Sequence, residues 1–407
     1  MTESMRKELH VGEIYRVEIE KVAHGGHFIA RHEGAVIFVR HAIPGEIVEV
    51  EITGLEKSFA RADVVAVIEA APSRVISACK YSGKCGGCDF QHIEVAHQRE
   101  LKSDVISEQF ARIAKMEIDI EVEEVSSPLH WRTRYAASTS PRGEIGYKGA
   151  RSNQVITISN CPVLVPEIDF PTLPHEKIGA NKRVEVSMGT TGERSISTET
   201  QRESRSSQRS QSQLIEGKKE LLWEVAGNTY TVSQSSFWQS NINAPEVLVD
   251  AVLEYAQLQE GDHLLDLYGG VGLFALAAID SVGAAGRIDI VEGSASATSD
   301  ARRNCQAHKN IFIHTGDVAR EMDKFSTADV VVLDPPRTGA GKDVIASLAE
   351  LGPRRIVYVA CDPAALARDT SYLRDAGYHL EDIRAFDLFP MTHHIECIAV
   401  FTLSKVS

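Results

Sequence analysis

The sequence predicts an α/β protein in three parts: a small β-barrel over residues 8–72, a central α+β domain over 73–235, and a domain over 236–407 built on a parallel sheet with helices on both faces. Three observations lead there. At 407 residues the chain exceeds what one hydrophobic core normally organises. Its start is a series of short alternating segments separated by glycine and proline, the pattern of a barrel. From Glu246 onward strand and helix signals alternate, which builds a parallel sheet.

The barrel strands are read at Tyr15 to Glu20, Ala35 to Val39 and Ile47 to Ile52, with Gly25-Gly26 in the first turn. A helix is expected from about Glu94 to Ala114, where Leu101, Val105, Phe110 and Ile113 recur near helical spacing. Residues 195–213 are serine, arginine, glutamine and glutamate with almost nothing apolar, so they are expected to form a mobile loop, either a spacer or an RNA contact. The parallel strands are read at His263 to Tyr268, Gly286 to Val291, Asp329 to Leu333 and Arg355 to Ala360.

Composition excludes several classes. With 43% hydrophobic and 25% charged residues the chain is not disordered overall. No apolar run approaches the roughly 20 residues needed to cross a bilayer, and Met1 to His10 is charged, so a cytoplasmic protein without a membrane partner is expected. A net charge of -14 excludes a generally basic nucleic-acid coat; any such contact must be local. Arg132, Arg134, Arg142, Lys148 and Arg151 fall in one stretch that reads equally as an RNA-facing patch or a solvated loop. Seven unevenly spaced cysteines do not make a disulfide framework, which leaves metal binding or catalysis.

In an open parallel sheet, ligands lie at the carboxyl ends of the strands, and the first strand-to-helix turn needs glycine for close approach. Asp266 to Gly272 is that turn, with Tyr268 inside it. Glu292 closes the next strand, where an acidic side chain meets ribose hydroxyls, and Asp317 follows the third strand, near an adenine. These features also fit a nicotinamide enzyme. The turn lacks a full G-x-G-x-x-G run, however, and Asp334-Pro-Pro-Arg337, which ends the fourth strand, resembles the substrate-facing motif of nucleic-acid methyltransferases; both points favour S-adenosylmethionine. Cys361 follows the apolar strand Ile356 to Ala360 and precedes Pro363, placing a thiol at a helix start, where the helix dipole favours thiolate. Cys79, Cys85 and Cys88 lie within ten residues, with Cys161 as the natural fourth ligand; spacing alone fits zinc or an iron-sulfur cluster. Cys305 and Cys397 read as packing residues.

The run Ala360 to Asp369, with Asp334 to Arg337 before it and Phe389 to Glu396 after it, resembles the RNA uracil-C5 methyltransferase family. Phe237 to Asn241 and the glycine turn extend the match, and the amino-terminal segment resembles a TRAM domain, an OB-like RNA-binding barrel. The resemblance implies a Rossmann-like class I methyltransferase domain. It implies Cys361 as covalent nucleophile, Glu396 as general base, and Gln239, Tyr268, Glu292 and Asp334 as contacts to S-adenosylmethionine. It further implies a 4Fe-4S cluster on Cys79, Cys85, Cys88 and Cys161, and a monomer acting on ribosomal RNA, with 23S favoured over transfer RNA. A cytosine-C5 methyltransferase is disfavoured because no Pro-Cys pair exists. An RNA-binding protein with an inert transferase domain is disfavoured because Cys361 and Glu396 are both present.

Overall fold

The computed structural model describes residues 9–150, 152–200 and 212–403. Strands β1 (Ile14–Ala23), β2 (His27–His32), β3 (Ala35–Arg40), β4 (Ile47–Leu55) and β5 (Ala60–Glu69) close a barrel in the order β1-β2-β3-β5-β4. Period-two alternation explains it: Val17, Ile19, Phe28, Ile37, Val39, Val48 and Val50 are buried, while residues between them face outward. Buried Glu46 accepts hydrogen bonds from Ile43 N, Ala71 N and the Arg74 guanidinium, which ties the barrel to the segment that follows.

The expected helix is present as Val95–Gln109 with one π-helical turn, Phe110–Ala114, closed by Lys115 in the left-handed conformation. Beyond it, β6 (Val122–Glu124) pairs in parallel with a strand of the carboxyl-terminal sheet. This strand lies within 73–235 yet joins the sheet of the carboxyl-terminal part. Helical spacing shows that Leu101, Val105 and Phe110 need a partner, but not that the transferase face supplies it.

The central sheet runs β12-β11-β10-β7-β8-β9, from β7 (Arg134–Thr139), β8 (Ile145–Lys148), β9 (Val155–Thr157), β10 (Lys182–Met188), β11 (Arg194–Thr200) and β12 (Gln213–Glu216). Strand β11 overturns the first part of the expected loop. It pairs along its whole length with β10, and Ser195, Ile196 and Ser197 are buried. Pairing satisfies the backbone there and Ser195 Oγ donates to Lys218 O, so polar composition misled. Residues 201–211 lie outside the described ones. The hairpin β13 (Glu220–Val225) and β14 (Asn228–Ser233) lays Trp223 and Tyr230 on the transferase core, again across the expected boundary.

The last sheet has β15 (His263–Leu267), β16 (Arg287–Glu292), β17 (Ile311–Thr315), β18 (Val330–Leu333), β19 (Arg355–Ala360), β20 (Tyr378–Asp387) and β21 (Glu396–Leu403), in the order β17-β16-β15-β18-β19-β21-β20-β6. Neighbours from β17 to β19 are parallel, and β21 is antiparallel to both its neighbours. Alternate residues feed two cores. Leu264, Val330 and Val357 pack with Val249 and Val252, whereas Leu265, Val331 and Ile356 share a core with Leu366 and with the barrel's Phe28. The barrel is therefore fused to one face of the transferase sheet. Among the described residues no helix is long and apolar enough to cross a membrane.

Candidate active site

Parallel strands end together, so their carboxyl edge collects whatever residues follow them. Leu267 is in register with both Val291 and Leu333, and Leu333 with Tyr358, which brings Tyr268, Glu292 and Asp334 to one edge. Ala360 is in register with Cys397 across the antiparallel pair β19–β21, so Cys361 and Glu396 are the next residues out and face each other. Five of the six expected site residues thus share one edge. Gln239 comes from outside the sheet, buried on the loop between β14 and the Ala244–Ala256 helix, close to Asn241, whose amide donates to Leu388 O and Ser126 Oγ.

The glycine turn is tight for a reason. Gly272 has φ +88, and a Cβ on it would meet Cys305 Sγ and Ile290 Cδ1 at 3.3 Å, so close packing against β16 requires glycine. Cys305 is buried there and Cys397 is buried in β21, as packing residues. Tyr268 itself sits at φ +60, strained backbone directly at the site. Glu292 accepts from Gly270 N at 3.1 Å and Ser294 N at 2.6 Å, which fixes its carboxylate across the turn. Asp317 caps the Val318–Glu321 turn, its carboxylate accepting from Arg320 N.

The electrostatics are those of an acidic edge. Burial pushes Asp266 up to about 7, with Asp334 and Glu292 adding repulsion, and Asp266 Oδ1 has no hydrogen-bond partner among the described residues. Burial also raises Asp334, helped by Glu292, and Glu396 rises well above its ordinary value through burial and Asp334. Arg337 opposes the shift at Glu396. At Cys361, burial first, then Glu396 and Asp334, push the thiol up to about 12, against the thiolate preference expected of a helix start. The helix Pro363–Asp375 does begin beside it, but two carboxyl groups and burial outweigh a half-charge dipole.

A cavity of about 230 Å³ opens at Cys361. Its walls come from three parts of the chain: the barrel turn at His24 to Gly26, Lys102 of the Val95–Gln109 helix, and Arg337, His393 and His394 of the transferase domain. Lys102 is buried and donates to Asp387 Oδ1 at 2.6 Å and Phe389 O at 3.3 Å. Burial, then His393 and Arg337, hold His394 down at about 3, so it is neutral. The first-turn glycines were legible as a turn, but no local pattern signals that His24 or Lys102 reaches this cavity.

The four cysteines Cys79, Cys85, Cys88 and Cys161 line a second cavity with Arg132, Tyr147 and Gln91. Among the described residues no three metal-binding side chains stand close enough to hold a single ion. Burial pushes Cys88 up to about 12 and also raises Cys85 and Cys161. The basic stretch does not form one patch. Arg132 lies at this cavity, Arg134 is spent on the carbonyls of Gln234 and Ser236, Arg142 and Lys148 are exposed, and Arg151 lies outside the described residues.

Comparison with known proteins gives this edge its context. A TRAM-domain model matches residues 8–65, and the family model described as tRNA (Uracil-5-)-methyltransferase matches 208–405. An uncharacterized RNA methyltransferase of Streptomyces avermitilis is 38% identical, over 96% of this chain and 98% of its own length. The 23S rRNA (uracil(1939)-C(5))-methyltransferase of Shewanella sp. (strain MR-4) is 30% identical over 95% of each. The chain belongs to the RNA uracil-C5 methyltransferase family. Its fold is also that of the tRNA (uracil-54, C5)-methyltransferase of Pyrococcus abyssi, solved with S-adenosyl-L-homocysteine, at a TM-score of 0.73, 23% identity and coverage of 95% of this chain and 100% of that one.

As an RNA uracil-C5 methyltransferase the protein depends on S-adenosylmethionine and acts on RNA. The site suits that cofactor physically. A ligand carrying sulfonium and ammonium charges relieves the mutual repulsion of Asp266, Glu292 and Asp334, and the glycine turn leaves its backbone open to approach.

Proposed function

We propose that this enzyme methylates carbon 5 of a uridine in 23S ribosomal RNA through a covalent adduct on Cys361. The observation that carries the reading is that Cys361 and Glu396 lie one residue beyond the Ala360–Cys397 register pair, with Asp334 acting on both. The Cys361 sulfur forms a bond to carbon 6 of the uracil, and the carbon 5–carbon 6 π electrons move onto the carbonyl as an enolate. S-adenosylmethionine supplies the methyl group that carbon 5 takes. Glu396 then removes the carbon 5 proton, the double bond re-forms, and the thiolate leaves. Its raised carboxyl brings Glu396 closer to the working pH than an ordinary carboxylate, which suits it to the one proton it takes, from carbon 5. Gln239, Tyr268, Glu292 and Asp334 hold the cofactor in this reading.

The test uses wild type, Cys361→Ala and Glu396→Gln with RNA and the methyl donor, run on a denaturing gel. Glu396→Gln loses about a hundredfold to ten-thousandfold in turnover and accumulates a slow protein-RNA band, because loss of a base stalls proton removal. Cys361→Ala gives no band. A Glu396→Gln enzyme with near wild-type turnover overturns the assignment. The ribosomal target is supported by the Shewanella relative's name and coverage, and transfer RNA by the family model's description. Mapping 5-methyluridine in RNA from a deletion strain decides between them.

Cys79, Cys85, Cys88 and Cys161 hold a 4Fe-4S cluster in this reading. The four cysteines line one cavity, which supports a shared ligand, and the family resemblance favours a cluster, with one thiolate at each corner, over a single zinc. It would crosslink the loop from Cys79 to Cys88 to the central sheet. Anaerobically purified protein should contain iron and sulfide; stoichiometric zinc without iron overturns the cluster and leaves the methyltransferase reading intact.

A further inference from the structure

We propose that His24, in the first turn of the barrel, is a positioning residue for the methyl-transfer reaction: it holds Asp362, and through it the turn that presents Cys361. The proposal rests on Cys361 being the nucleophile. His24 Nε2 lies 3.1 Å from Asp362 Oδ2. The other oxygen of Asp362 accepts from Ala365 N at 2.9 Å and so caps the Pro363–Asp375 helix. Asp362 is therefore held from two sides, by the helix it starts and by a barrel turn more than 300 residues earlier in the chain. Burial alone would raise its carboxyl, and the hydrogen bonds from His24 and the helix N-terminus outweigh burial and hold it low.

The same barrel turn reaches the other half of the site. Gly26 has φ +76, and a Cβ there would lie 2.7 Å from His393 Nδ1. His393 is paired with Asp89 and stands three residues before Glu396. One turn of the barrel thus touches the residue after the nucleophile and the loop before the base. A barrel serving only to collect RNA has no need of these contacts. Both are made by the edge where RNA must enter, because His24, Gly25 and Gly26 line the cavity that opens at Cys361.

The geometry makes His24 matter to the rate of sulfur–carbon bond formation and not to RNA affinity. Adduct formation is read directly with a transcript containing 5-fluorouridine: fluorine cannot leave as a proton does, so the methylated adduct stays covalent and is counted on a denaturing gel. Wild type and Cys361→Ala establish that the band reports the nucleophile. At saturating RNA, His24→Ala should form the adduct about tenfold more slowly, the scale expected when a reacting group is displaced by a fraction of an ångström. His24→Gln, which keeps an N–H of similar reach, should recover to within about threefold of wild type by the same argument. RNA affinity by filter binding and the thermal midpoint should be unchanged in both, since His24 is exposed on its turn. A wild-type adduct rate in His24→Ala, a loss confined to RNA affinity, or a glutamine variant as slow as alanine each overturns the proposal. Absence of the band in wild type would instead overturn the nucleophile assignment.

Discussion

Two sets of buried carboxylates divide this molecule. Glu46 in the barrel and Asp289 in β16 have no solvent exposure and are saturated with donors: Glu46 by two backbone N–H groups and Arg74, Asp289 by His263 and His314 at 2.7 Å each and by Arg287. Asp266 and Glu396 are as deeply buried, yet Asp266 accepts one backbone hydrogen bond and leaves Oδ1 unpartnered, and Glu396 accepts none among the described residues. In the first set the partners of Asp289 hold its carboxyl well below its ordinary value. The second is driven toward the neutral form by burial and mutual repulsion. Folding supplies partners wherever a charge serves the fold; where it leaves them out, the missing partner is a ligand.

That contrast is open to direct attack. The largest expected effect on stability is at Asp289. Asp289→Ala strands two histidines and an arginine on three adjacent parallel strands and should cost about 3–5 kcal/mol by urea unfolding at pH 7, the range for breaking a buried pair from one side. Glu46→Gln keeps the shape but removes the charge facing Arg74, and should cost about 1.5–3 kcal/mol, the value of charge-assisted hydrogen bonds. If either variant is neutral, saturation with donors does not mark a structural acid here.

The pH dependence follows from the same geometry. Burial would raise the Asp289 carboxyl, but hydrogen bonds from His263, Arg287 and His314 hold it well below its ordinary value. A depressed carboxyl stabilises the fold above its unfolded value, near about 4, and that contribution is lost as pH falls through the folded value. Wild type should therefore lose stability below about pH 4 more steeply than Asp289→Asn, whose side chain does not titrate. Parallel acid-unfolding curves would remove Asp289 from the first set.

The sequence made the second set easier to find than the first. Asp266 and Glu396 lie near the end and at the start of apolar strands, so chain order alone places them at one edge, and the glycine turn and the motif around Cys361 supply their roles. Asp289 sits inside Ile288 to Val291, where nothing local announces that His263 and His314, each two residues out of register on the flanking strands, reach it. For the same reason the barrel was legible from period-two alternation, while its docking through Phe28 and its reach to Asp362 were not. Strand β11 was missed because serine and threonine carry no apolar signal, although backbone pairing makes that segment a strand.

The smallest expected stability change is the sharpest test of the comparison. A carboxyl whose folded pKa is raised binds its proton more tightly folded than unfolded. It therefore favours the fold below its unfolded value and gives that stabilisation up as pH rises toward the folded value. For Asp266 the window runs from about 4, the ordinary carboxylate value, to about 7. Asparagine keeps the acceptor for Ala275 N and cannot ionise. Asp266→Asn should accordingly match wild type near pH 4 and be equal or more stable by about 1–2 kcal/mol at pH 8, a fraction of what the shift itself implies. The cost should appear in ligand binding instead. The thermal midpoint gained on adding S-adenosylmethionine at pH 8 should be smaller in Asp266→Asn than in wild type, because a cation is the partner that the ionised group lacks. A variant destabilised at pH 8 with its ligand response intact would place Asp266 with Glu46 and Asp289, among the acids that serve the fold.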